Sequence, residues 1–322
     1  VIPSHSSVLL KINKPHKTFN YFNNKKIWEK LSDVFKGDKI NYNLSLIEDL
    51  YKKINLNKNN TLFITLVKDG VSSSGFLLSS ELNNEDLTKV KDFFNVSSLQ
   101  HFNYDNTKIF EIENESINFY FTEVKNIVCI STSKTIIEDA IKSTNSKYNF
   151  TNNNDFINIY NTINNSNEVN VIYNLNNLLD LSNNFPNDYR NLMKNINGWV
   201  ASDMKLRNDK IILNGYNLID YKLSNYSDIL NNQDPITTNA LKFIPDNINI
   251  LFSIGFNKAQ KLLSNNNKLL ENNKKIWELD KYKKEIQNNF KFDYNEFSNQ
   301  IDDEAGLFIC GTNDNEEKKF SF

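Results

Sequence analysis

The densest run of side chains that could do chemistry is Asp302-Asp303-Glu304, three consecutive carboxylates of the kind a hydrolase uses. Elsewhere such residues are scattered. Three histidines, His5, His16 and His101, stand at no metal-ligand spacing from a Cys, Asp or Glu. His5 and His16 fall in a turn and near a helix start, which reads as a solvated structural role. Cys129 in "NIVCIST" and Cys310 in "GLFICGT" each lie inside an apolar, strand-like run, where buried free thiols are expected and not a disulfide. Ser72-Ser73-Ser74-Gly75 has no Gly-x-Ser-x-Gly elbow and reads as a hairpin flank. Gly-x-Gly-x-x-Gly and Walker loops are absent, which removes the usual routes to a nucleotide. This reading assigns no catalytic, cofactor-binding or metal-ligating residue and expects no cofactor.

The elements that would position these residues follow from hydrophobic periodicity. A strand at Val8–Ile12 precedes a helix starting near Pro15, with Ile27, Leu31, Val34 and Phe35 on one stripe and a second helix over 44–54. Leu62–Val67 and Gly75–Leu78 read as a hairpin turned at Lys68-Asp69-Gly70. A helix over 85–94, strands near 108–111, 117–121 and 127–131, and a helix over 136–141 complete a first module, 1–150. A polar stretch at 147–154 marks its boundary. The middle module, 151–232, carries a helix over 155–163, a strand over 169–173, a helix over 178–196 and a hairpin across Arg207–Asp209. The third, 233–322, reads as a partial second copy of the first.

That copy rests on three matches in one order. Ile244-Pro245 answers Ile2-Pro3, with Ile250, Phe252 and Ile254 at the positions of Val8, Leu10 and Ile12. The pentapeptide Lys-Lys-Ile-Trp-Glu begins at Lys25 and again at Lys274, seven residues later than the first offset requires, which is two helical turns and keeps the buried face. Leu62-Phe63-Ile64 answers Leu307-Phe308-Ile309. Trp28 and Trp277 are therefore expected at equivalent helix positions, packed against their sheets. Hairpins mixed with helices predict an α+β fold, with antiparallel sheets, helices on one face and an internal duplication. By the same alignment Phe322 falls near Leu77, so the polypeptide is expected to continue beyond it by on the order of 60 residues. The start at Val1-Ile2-Pro3, without methionine, reads as a cut end.

Composition narrows the class. The chain has 322 residues, 39% of them hydrophobic and 12% aromatic, which is too rich for disorder, and a net charge of -2 gives no pull toward a polyanion or membrane surface. Arg190 and Arg207 are the only arginines, so the bidentate fork on which base readers depend is nearly missing and no nucleic-acid partner is expected. Asparagine is in excess, about 59 residues, mostly where turns should fall. No stretch approaches the ~18 apolar residues of a membrane span.

Two resemblances complete the reading. Asp302-Asp303-Glu304-Ala305-Gly306 resembles the Asp-Glu-Ala-Gly signature of type 2 ribonucleases H, which implies carboxylates holding divalent metals that activate water. Here Leu307-Phe308 stands where that family has Arg-Gly, and the first copy has no carboxylate at the aligned positions 57–61. The opening "IPSHSSVLLKIN", its echo "IPDNINILFSIG" and the stretch from Asp105 to Ile141 resemble an uncharacterised family of membrane-anchored, Bacteroidetes-type envelope proteins with duplicated strand-helix-hairpin units. That resemblance implies a non-catalytic binding or scaffold protein in the periplasm or at the cell surface. Its partner would be another envelope protein, and its membrane contact an anchor outside this chain. A metal-dependent hydrolase using Asp302-Asp303-Glu304, or a small-ligand site between modules, is the alternative.

Overall fold

The computed structural model describes residues 1–23, 60–70, 73–113, 118–146, 149–181, 198–207, 210–218, 226–230, 232–239, 242–245, 248–291, 293–310 and 320–321. The chain divides into two compact units, Val1–Leu218 and Ile219–Phe322. The fold is α+β with antiparallel sheets.

Unit 1 is organised by its first strand, β1 (Ser6–Ile12). The run Val8-Leu9-Leu10 is apolar without alternation, so both faces of the strand need cover. β1 pairs antiparallel with β2 (Leu62–Asp69) on one side and with β8 (Val169–Asn174) on the other. β2 continues to β3 (Ser73–Glu81), which pairs with β7 (Ile127–Ser131). β4 (His101–Tyr104), β5 (Thr107–Ile112) and β6 (Phe119–Val124) follow as a meander joined to β7. β9 (Trp199–Leu206) and β10 (Ile211–Asn217) extend the other edge beyond β8. The result is one ten-stranded sheet, ordered β10-β9-β8-β1-β2-β3-β7-β6-β5-β4. The two-residue loops Asp105-Asn106 and Lys125-Asn126 have positive φ at both positions, the conformation that matches hairpin twist.

Helices cover both faces of this sheet, where one was expected. On one face Leu10, Ile64, Leu78, Ile130, Phe121 and Phe110 form a cross-strand row over six strands. It packs under Phe19 of α1 (Pro15–Asn23) and Leu87 and Val90 of α2 (Asn84–Phe93). On the other face, Val67, Leu77, Ile109 and Cys129 meet Ile136, Ile137 and Ile141 of α3 (Lys134–Asn145). Leu9 and Ile172 on that same face meet Phe156 and Ile159 of α4 (Asn154–Tyr160), with Phe150, Phe156 and Trp199 in edge-on ring contacts at 4.9–5.2 Å. α5 (Leu175–Leu181) follows β8. The boundary expected at 150/151 falls inside this unit, because β8 of the expected middle module hydrogen-bonds β1 of the first.

Unit 2 holds a three-stranded sheet, β11 (Ile248–Gly255), β12 (Glu304–Cys310) and β13 (Phe320–Ser321). Between β11 and β12 lie α6 (Ala259–Asn272), α7 (Ile276–Phe290) and α8 (Tyr294–Gln300). No described helix is long and apolar enough to cross a membrane.

Candidate functional site

The carboxylate run lies where β12 begins. Glu304 is engaged at both oxygens: Oε1 accepts from Ser253 Oγ at 2.8 Å and Oε2 from the Asn239 backbone N–H at 2.7 Å. The Asp303 backbone carbonyl accepts from Phe256 N at 2.8 Å, while the Asp302 and Asp303 side chains face solvent. Among the described residues no three His, Cys, Asp or Glu side chains gather as a metal would require. The histidines are apart in the fold. His5 Nε2 lies 3.5 Å from Asp139 Oδ2 on α3, His16 sits in α1, and the His101 ring is 5.8 Å from that of Phe110. Both cysteines are free thiols; Cys129 is buried and Cys310 half-buried.

Trp277 corrects the expectation of core packing. It is the second residue of α7 and is 60% exposed, and α7 has no buried residue. The helix turns Ile276, Leu279 and Ile286 toward partial cover and Trp277 away from them. Trp28 and the helix expected over 44–54 lie outside the described residues.

The feature that sets unit 2 apart is its sheet. The β11–β12 ladder slips between Ile248 and Ile250, then pairs Leu251 with Phe308 and Phe252 with Leu307. The β1–β2 ladder slips between Ser6 and Val8, then pairs Leu9 with Thr65 and Leu10 with Ile64. The irregularity and the pairing after it coincide residue for residue. The aligned segment of β12 is Ala305-Gly306-Leu307, however, two residues before the Leu307-Phe308-Ile309 match expected from sequence. Two residues is one pleat repeat, so the same side chains stay on the same face.

What covers that face differs. Leu10 and Ile64 belong to the core under α1 and α2, with Ile64 only 6% exposed. Their counterparts Phe252 and Leu307, directly opposite one another, are 60% and 40% exposed. The sequence placed Phe252 at the position of Leu10, but alternation within a strand reports which side chains share a face and not whether anything covers it.

A family model described as "Protein of unknown function (DUF3352)" matches residues 43–321, across both units. The chain belongs to the DUF3352 family. No curated protein and no solved structure matches it. As a DUF3352 protein it carries no inherited assignment of active-site residues, so the uncovered Phe252–Leu307 face is read on its own physics.

Proposed function

We propose that this DUF3352 protein is a non-catalytic binding or scaffold component of the cell envelope, in the periplasm or at the cell surface. It is tethered by a segment outside this chain and engages another envelope protein through the β11–β12 face. The observation that carries the reading is the exposed pair Phe252–Leu307, on a pleat position where unit 1 has the half-buried Leu10 and the buried Ile64 under its helices. An aromatic and an aliphatic side chain paired across a sheet and left in water form the kind of desolvatable centre on which protein interfaces are built. The coincident ladders also support an origin of the two units by duplication, one copy keeping its helical cover and the other presenting the face. The resemblance of the Ile-Pro openings to anchored Bacteroidetes-type envelope proteins supports the location.

A photo-crosslinking residue at position 252, in cells, tests this reading. It should yield a discrete adduct with an envelope protein, lost on adding Leu307→Asp, whereas the same residue at position 10 should yield none. Recovery of the protein wholly in the cytosolic fraction, or equal adducts from both positions, would overturn it.

A further inference from the structure

A groove of ≈ 740 Å³ opens on the α1/α2 face of unit 1, far from β1, between the end of α2 and the tips of the β4–β5 and β6–β7 hairpins. That volume is in the range of small-molecule sites. Three lysines, Lys91, Lys108 and Lys125, line it with two carboxylates, Asp92 and Glu123, over a floor that includes Phe110. The charges do not cancel. Lys91 Nζ and Glu123 Oε2 pair at 2.6 Å, which leaves two ammonium groups against Asp92. Neither Lys108 nor Lys125 makes an ion pair among the described residues.

Register explains why they meet. Ile109 pairs with Thr122, so the next rung places Lys108 beside Glu123, and Lys125 follows two residues along the same strand direction. Lys108 therefore adjoins a carboxylate that Lys91 already neutralises. The rim is formed by short connections in which Asn95, Asn106 and Lys125 hold left-handed φ angles of 49°, 60° and 52°. Like charges fixed around one concavity raise its potential, and an entering anion lowers it.

We propose that this groove is a binding site for a small anionic polyol, a sugar-sized molecule bearing a phosphate or carboxylate. Lys108 and Lys125 take the anionic group as point charges. Asn95 and Asn106 offer side-chain amides to hydroxyls, and the half-buried Phe110 ring meets an apolar edge. A bare oxyanion would leave most of the space to water, which is why the ligand class includes the polyol. The site is lined by residues of unit 1 and does not depend on the function proposed for the β11–β12 face.

Titration of the full chain by calorimetry, with glucose 6-phosphate, glucuronate, inorganic phosphate and glucose as probes, tests the site. One of the two sugar acids should bind, inorganic phosphate more weakly, and glucose at least about tenfold more weakly than that sugar acid. Whether the phosphate or the carboxylate probe binds identifies the anionic group. Affinity should fall with added salt, and by about tenfold in Lys108→Gln or Lys125→Gln. Lys142→Gln, an exposed change on α3, should leave it unchanged. No binding of either sugar acid at about 10 mM, equal binding of glucose, or undiminished binding by both lysine variants with unchanged melting curves would overturn the proposal.

Discussion

Cys129 lies at zero exposure on the face covered by α3, and burial pushes its thiol up to about 12. A raised pKa means that the folded state holds the proton more tightly than the unfolded one. The contribution to stability is therefore full below about 8.5, the ordinary thiol value, and is lost as pH climbs from there toward the folded value. The stability advantage of wild type over Cys129→Ala should shrink steadily in denaturant melts above about pH 8.5, and Cys129 should resist alkylation until the protein unfolds. Asn170 makes a different kind of residue-scale case. Fully buried, it donates to Asp203 Oδ1 at 2.7 Å and to the Asn164 carbonyl at 3.1 Å, and accepts from Asn13 Nδ2 at 2.8 Å. Lys11, opposite it in the ladder, donates to Tyr160 Oη and Asn165 Oδ1 at 2.8 and 2.7 Å. Asn170→Ala removes the hub and leaves the half-buried Asn13 and Asp203 side chains each one partner short, so a loss of about 1–2 kcal/mol is expected from urea melts. The buried free thiol of Cys129 was legible in its apolar, strand-like run; the Asn170 hub was not. Asn170 is one asparagine among many in the sequence, and only the pairing of β1, β8 and β9 brings Lys11, Asn170 and Asp203 into one row.

Elements were read more faithfully where their signals are local. β1, β2, β3, β7, β8, β9 and β10 and helices α1 to α4 lie close to their expected places, because alternation, caps and turn residues act within a few positions. Asn83 and Asn153 cap α2 and α4 through their side chains, and Asn95, Asn106, Asn126 and Asn232 take left-handed turns, so much of the asparagine excess has local work in turns and caps. β4 was missed because its four residues are short and mostly exposed. Cover on both faces was also misjudged, although the unalternating Val8-Leu9-Leu10 run carried that signal. One glycine is decisive at this scale. A Cβ on Gly215 would stand 2.0 Å from the Ala201 carbonyl oxygen and 2.6 Å from Ser202 Cα, so backbone would have to move to admit it. Gly215→Ala should cost about 1–3 kcal/mol and splay β10 from β9. Hydrogen exchange would show this as faster exchange of β10 amides with β1 and β2 unchanged.

At the scale of the whole molecule, the sheet order decides what can stand alone. Sequence separation hid the pairing of β1 with β8, since strands about 160 residues apart leave no local trace of meeting. All ten strands of the large sheet come from residues 6–217, and none from unit 2. A chain ending after Leu218 keeps every ladder of that sheet and the three clusters beneath its helices. A chain ending at residue 150, the module boundary expected from the polar stretch, loses β8, β9, α4 and Trp199 together. β1 then becomes an edge, with its backbone groups unpaired and Leu9 stripped of Ile172 and Phe156. Residues 1–218 should therefore unfold in one cooperative urea transition and elute as a compact species. Residues 1–150 should melt at lower urea and associate with increasing concentration on size exclusion. Equal stability and equal monomer content for the two fragments would mean that the β1–β8 seam contributes little and that the polar stretch at 147–154 is a true domain boundary.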